Sequence, residues 1–211
     1  MISRYCLWEF SKNIALDWRA NLQIRWCCRM LSLARVNDEA SYVKDGFQCA
    51  RNFVDTEDMS RTLDFIATRI RSGKPSDADE SARGGVYRIN SLHGAPRLVE
   101  DLTAKAAKLI GAPLVHTLSY VQIYKKGGVL PLHVDEPDCG VTVTVTLDYQ
   151  SETLWPLFLV TDGTIISAAL NKGDALLFDA CRFPHCRKPL EGESWTQMTL
   201  HFISESVKRK G

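Results

Sequence analysis

Val121-Gln-Ile-Tyr-Lys-Lys-Gly-Gly-Val-Leu-Pro-Leu-His-Val-Asp135 decides how this chain reads. One apolar run reaches Tyr124, Gly127-Gly128 breaks it, and a second run begins at Val129: two strands joined by a turn. The second strand ends in His133-Val134-Asp135. Side chains alternate along a strand, so His133 and Asp135 leave it on the same side. A third group, His185, follows another strand-like run, Gly173-Asp-Ala-Leu-Leu-Phe-Asp179. Two imidazoles and one carboxylate form the facial set that holds Fe(II) and leaves its other coordination positions open. The triplet alone is a weak signal, because a His on a strand is more often a hydrogen-bonded core residue. Its surroundings raise its weight.

Outward from this stretch the chain is β from Leu118 onward. Strands are expected near 118–124, 129–134, 141–148, 156–161, 164–169, 175–179 and 196–204, separated by Pro137 to Gly140, Asp162-Gly163 and Lys172-Gly173-Asp174. Upstream lie two helices. The first is capped by Asp55 or Thr56, turns Met59, Leu63, Ile66 and Ile70 inward, and stops at Gly73 and Pro75. The second opens on Pro96, turns Leu98, Leu102, Leu109 and Ile110 inward, and stops at Gly111 and Pro113. Residues 41–54 read as a lead-in turn at Asp45-Gly46 and a short strand, Val86–Ile89 as another strand, and 72–85 as a polar loop. This order predicts an α+β chain: a double-stranded β-helix (a jelly roll, cupin-like) with supporting N-terminal helices behind one sheet.

Val141-Thr-Val-Thr-Val-Thr146 alternates strictly, with valines on one face and Thr142, Thr144 and Thr146 on the other. The hydroxyl face is read as the lining of a polar pocket, and the valine face as packing under the helices.

Composition narrows the function classes. The net charge of +1 gives no global electrostatic case for nucleic acid, and no apolar run is long enough to span a membrane. Seven cysteines (Cys6, Cys27, Cys28, Cys49, Cys139, Cys181, Cys186) form no C-x-x-C pair, which points to reduced thiols and a cytoplasmic setting. Residues 1–40 read as a separate basic amphipathic extension. Ile14, Trp18, Leu22, Trp26, Met30 and Leu33 recur at helical spacing among Arg4, Lys12, Arg19, Arg25, Arg29 and Arg35. Such a start resembles a mitochondrial transit peptide over 1–35, or a membrane-surface helix. The reading preferred is an added helix packed on the domain. Residues 206–211 form a basic tail.

Taken together, the 121–135 stretch, Asn171-Lys-Gly-Asp-Ala-Leu-Leu-Phe-Asp179, His185-Cys-Arg-Lys-Pro-Leu-Glu-Gly192 and Asp45-Gly46-Phe47 resemble the Fe(II)/2-oxoglutarate-dependent dioxygenases, prolyl 4-hydroxylase-like branch. The resemblance covers roughly residues 41–205. It implies Fe(II) held by His133, Asp135 and His185, with 2-oxoglutarate as co-substrate and O2 as oxidant. It also implies that Tyr124 helps bind the co-substrate, with Thr142, Thr144 and Thr146 on pocket-facing strand positions. The expected activity is hydroxylation of an amino acid, a peptidyl side chain or a small metabolite, with release of succinate and CO2.

One departure stands out. The family anchors the distal carboxylate of 2-oxoglutarate with an Arg or Lys nine or ten residues after the distal His; here those positions hold Ser194 and Trp195. A hydroxyl can hydrogen-bond a carboxylate, but a buried charge without a counter-charge is costly. The missing cation is expected among Arg187, Lys188, Arg182 and His201, with Lys125 and Lys126 less suited on their turn. Three alternatives stay open: a co-substrate other than 2-oxoglutarate, a cupin-like O2-using metalloenzyme, and a non-catalytic or regulatory jelly-roll metal-binding protein. The oligomeric state is not legible.

Overall fold

The computed structural model describes residues 32–36, 40–72, 85–90 and 96–204. The chain runs β1 (Ser32–Arg35), a single helical turn α1 (Tyr42–Asp45), β2 (Phe47–Ala50), α2 (Thr56–Arg71), β3 (Val86–Asn90) and α3 (Pro96–Ile110). Then follow β4 (Leu114–Lys125), β5 (Leu130–His133), β6 (Val141–Gln150), β7 (Leu157–Thr161), β8 (Thr164–Ala168), β9 (Ala175–Phe178), β10 (His185–Arg187) and β11 (Ser194–Ser204). The strands form two sheets, a minor one ordered β1-β8-β7-β10-β5 and a major one ordered β2-β9-β6-β11-β4-β3. Sequential strands alternate between sheets across much of the chain. This is the jelly-roll weave, with helices behind one sheet as the element order predicts.

Local chemistry accounts for the helices. Asp55 caps α2, accepting from the Asp58 backbone N–H at 2.8 Å, and α3 begins on Pro96 and is followed by Gly111 at φ 73°. Ile66, Leu98, Leu102, Ala106 and Ile110 pack against Val143, Val145, Val121, Met198 and Leu200 on the outer face of the major sheet. The alternation in β6 is therefore used as expected: valines lie under the helices, while Thr142 and Thr144 line a pocket between the sheets.

The structure also corrects several expectations. Ser32–Arg35 does not continue a helical stripe. It is a strand paired in parallel with β8, and Leu33 is 69% exposed. The rest of that stripe, residues 73–84 of the polar loop and the tail lie outside the described residues. Ile70, placed inward by periodicity, is 57% exposed because it falls in the last turn of α2. β5 ends at His133, so Asp135 is not on the strand with it. Its backbone N–H instead donates to Ala180 O at 3.0 Å, across to the segment after β9. The three-residue β10 was not anticipated; so short a strand carries no periodicity to read.

Candidate metal centre

The ligand set is built from two paired strands. His133 at the end of β5 and His185 at the start of β10 are direct cross-strand partners, and their rings lie 4.2 Å apart. Asp135 completes the group: the ligand atoms of all three residues lie within 4.8 Å of one another. Asp135 Oδ1 is 3.3 Å from His133 Nε2 and 3.7 Å from His185 Nε2.

Backbone carbonyls orient both rings. His133 Nδ1 bonds Pro131 O at 2.8 Å, and His185 Nδ1 bonds Phe183 O at 3.1 Å. A carbonyl only accepts, so each Nδ1 carries the proton and each Nε2 presents a lone pair to the centre. His185 stands edge-on to Phe178. Burial, reinforced by the neighbouring His133, lowers its pKa to about 4. For Asp135, burial works upward, but in acid, once the surrounding His133, His185 and His201 rings take up protons, His133 hydrogen-bonds the carboxylate and the three charges outweigh burial, holding the carboxyl at about 2. Neutral imidazoles beside an ionised carboxylate are the protonation states that ligation needs.

Beside this cluster the inner face of the major sheet is polar, row by row. His201 pairs with Thr142, Thr199 with Thr144 and Tyr120, and Gln197 with Thr146 and Gln122. Gln197 Nε2 donates to Gln122 Oε1 at 3.0 Å. At the far end Tyr124, Trp155 and Trp195 form an aromatic wall.

Within that wall lies Arg187, 2% exposed, with its guanidinium carbon 4.7 Å from the Trp155 ring and 5.7 Å from Trp195. It donates to Trp155 O, its Nε has no partner, and no carboxylate pairs with it among the described residues. Burial lowers its pKa to about 10, with Tyr124 acting in the opposite sense. The Thr144 and Thr146 hydroxyls and the Trp195 Nε1 are likewise buried without partners.

The other basic candidates are placed elsewhere. Lys125, Lys126, Arg182 and Lys188 are exposed; Arg182 stacks on Phe183, and Lys126 pairs with Glu193. His201 is buried at the metal end. Ser194 is partly buried and does not line the pocket, whereas Trp195, the next residue, faces inward against Tyr124. The cysteines flanking His185 are not drawn into the cluster: Cys181 Sγ donates to Glu136 O at 3.2 Å. Sequence reasoning placed Thr142 on the pocket face but not its bond to Asp135 Oδ2, at 2.9 Å, and it missed Gln122 and Gln197 in the pocket lining. The alternation in β6 was a signal for Thr142; nothing local singles out the glutamines.

The architecture matches solved structures. An oxidoreductase of the 2OG-Fe(II) oxygenase family from Burkholderia pseudomallei superposes with a TM-score of 0.64 at 14% identity, over 82% of this chain and 94% of that one. A prolyl hydroxylase from Trichoplax adhaerens, in complex with a hypoxia inducible factor oxygen degradation domain peptide fragment, gives 0.64 at 18% identity, over 94% and 99%. HygX from Streptomyces hygroscopicus, with nickel, 2-oxoglutarate and hygromycin B bound, gives 0.58 at 15% identity, over 77% and 84%. The fold is thus the one these oxygenases share. In sequence, no family model and no curated protein matches the chain.

Proposed function

We propose that the chain is an Fe(II)- and 2-oxoglutarate-dependent dioxygenase that hydroxylates an amino acid, a peptidyl side chain or a small metabolite. The observation that carries this reading is Arg187. A buried guanidinium with no carboxylate partner is unfavourable by itself and is relieved by an anion. It lies two residues beyond His185 on β10, about 7 Å along the strand at 3.3–3.4 Å per residue. That offset suits a dicarboxylate whose keto-acid end is at the metal. Arg187 then takes the distal carboxylate, in place of the cation absent at Ser194 and Trp195. The partnerless Thr146 hydroxyl and Trp195 indole, with Tyr124 close by, supply further donors.

His133, Asp135 and His185 would hold Fe(II), as the charge and donor atoms of the set require. When bound, the metal and co-substrate supply the oxidising chemistry: R–H, O2 and 2-oxoglutarate become R–OH, succinate and CO2. The chain's own part is to orient the two rings through Pro131 and Phe183, to keep Asp135 ionised, and to shield the far end of the pocket with Tyr124, Trp155 and Trp195. Exposed Val134 and Leu118 stand at the metal end, where a peptide or small-molecule substrate approaches. The peptide and the hygromycin B named for the solved structures mark the breadth of substrates this fold accepts.

The test is anaerobic titration of the protein with Fe(II), then 2-oxoglutarate, following the visible charge-transfer band of the iron–keto-acid chelate. A saturable band is expected from the parent. Arg187→Met should bind Fe(II) as the parent does but need far more 2-oxoglutarate, by 10-fold or more for a lost charge-assisted fork. Metal binding without any band in the parent would overturn the co-substrate assignment.

A further inference from the structure

Asp135 does not present its two oxygens equally. Oδ1 faces the imidazole Nε2 atoms, at 3.3 and 3.7 Å. Oδ2 is turned away and accepts from Thr142 Oγ1 at 2.9 Å. The same Oγ1 lies 2.9 Å from His201 Nδ1, and His201 Nε2 lies 3.2 Å from the Tyr120 hydroxyl. Thr142 and His201 are cross-strand partners on β6 and β11, so the sheet register fixes their contact. Arg88 packs its guanidinium 3.6 Å over the Tyr120 ring.

Proton counting gives these contacts a direction. An ionised carboxylate oxygen only accepts, so the single hydroxyl proton of Thr142 goes to Asp135. Cys139 O, at 3.4 Å, is the more distant acceptor for that proton. Thr142 Oγ1 therefore accepts from His201, whose proton is on Nδ1. A neutral ring has a single N–H, here on Nδ1. Nε2 is then an acceptor, and the Tyr120 hydroxyl donates to it. The chain runs Tyr120 to His201 to Thr142 to Asp135, each hydrogen given once. At 3.6 Å, His201 is too far from Oδ2 to replace Thr142.

We propose that Thr142, His201 and Tyr120 form a one-way hydrogen-bond chain that holds Asp135 as a one-oxygen metal ligand. A carboxylate free to swing would offer both oxygens and occupy one of the positions the facial set must leave open. Thr142 and His201 are positioning residues: they touch the carboxylate or its partner and not the metal. The proposal rests on the reading of His133, Asp135 and His185 as an Fe(II) site.

The test uses the full-length chain with Fe(II) affinity, measured anaerobically by chelator competition, and the absorption bands of bound Co(II) as readouts. Thr142→Val keeps the shape and removes the hydroxyl. It is expected to weaken Fe(II) binding about 10- to 100-fold, the usual effect of losing a ligand's hydrogen-bond partner, and to alter the Co(II) bands. Thr142→Ser should return both toward the parent. A merely structural threonine would shift the melting temperature of the metal-free protein and leave the Co(II) bands alone. Tyr120→Phe, on the partly exposed pocket wall, covers the case in which the valine variant does not fold; a smaller loss of affinity in the same direction is expected. Parent-like affinity and bands in Thr142→Val, or in Tyr120→Phe if the valine variant fails to fold, would overturn the chain alone. A parent that binds neither metal would overturn the Fe(II) site and the chain with it.

Discussion

At the scale of single residues, the centre depends on protonation as much as on placement. His133→Ala and His185→Ala should each abolish tight Fe(II) binding in equilibrium dialysis, since each removes one of three ligands. If either bound like the parent, the triad would be wrong. Tyr124→Phe should weaken 2-oxoglutarate binding with Fe(II) affinity unchanged, because the ring sits in the wall around Arg187 and not at the metal. The pH dependence has a definite sign. His185, lowered from 6.5 to about 4 by burial, is neutral in the folded chain where the unfolded chain already takes up a proton. The stability it contributes is complete above pH 6.5 and is lost as pH falls from there toward 4. Asp135, lowered from 3.8 to about 2, adds a second loss between about pH 4 and 2. The melting temperature of the metal-free protein should therefore drop on acidification below pH 6.5. A flat profile from 7 to 4 would contradict the burial of a neutral His185.

At the scale of elements, the loop into β9 shows how local conformation secures the site. Gly173 has φ +83°, and a Cβ there would meet Val54 O at 2.7 Å. Beside it, Asp174 accepts from Arg51 Nη1, from the backbone N–H of Asn52 and from that of Asn171. This ties the start of β9 to the segment after β2. Gly173→Ala combines backbone strain with a close contact and should destabilise by about 1–3 kcal/mol, read from chemical denaturation. An unchanged midpoint would show that this loop yields easily. Much at this scale was legible beforehand. The Asp55 cap, the Pro96 start and the β6 alternation follow from residue chemistry within a turn or two. β1 and β10 were not legible: β1 ends a stretch whose apolar spacing reads as helix, and the three residues of β10 are too few to carry a period.

For the whole molecule, ligation should stabilise the weave, because the three ligands come from both sides of the β5–β10 pair. Fe(II) at about 100 times its Kd should add about 2.7 kcal/mol, or roughly 5–10 °C in Tm for a domain of this size. An anaerobic melt with and without metal checks it, and no shift would mean that the folded chain has no preferential site. Among the described residues no helix is long and apolar enough to cross a membrane.

The ligand types were set locally. Strand alternation alone does not bring His133 and Asp135 together, because β5 ends at His133 and Asp135 is fixed by its backbone bond to Ala180 O; the runs around them give the element order. Which cation is buried beside Trp155 and Trp195 was not a local property. Arg182, Arg187 and Lys188 are equal candidates along the chain, and only the pairing of β10 between β5 and β7 turns Arg187 inward beneath Trp155. The partnership of Thr142 with His201 likewise spans 59 residues. Periodicity reports which face a side chain takes; sheet register, which long-range pairing alone establishes, decides what it meets there.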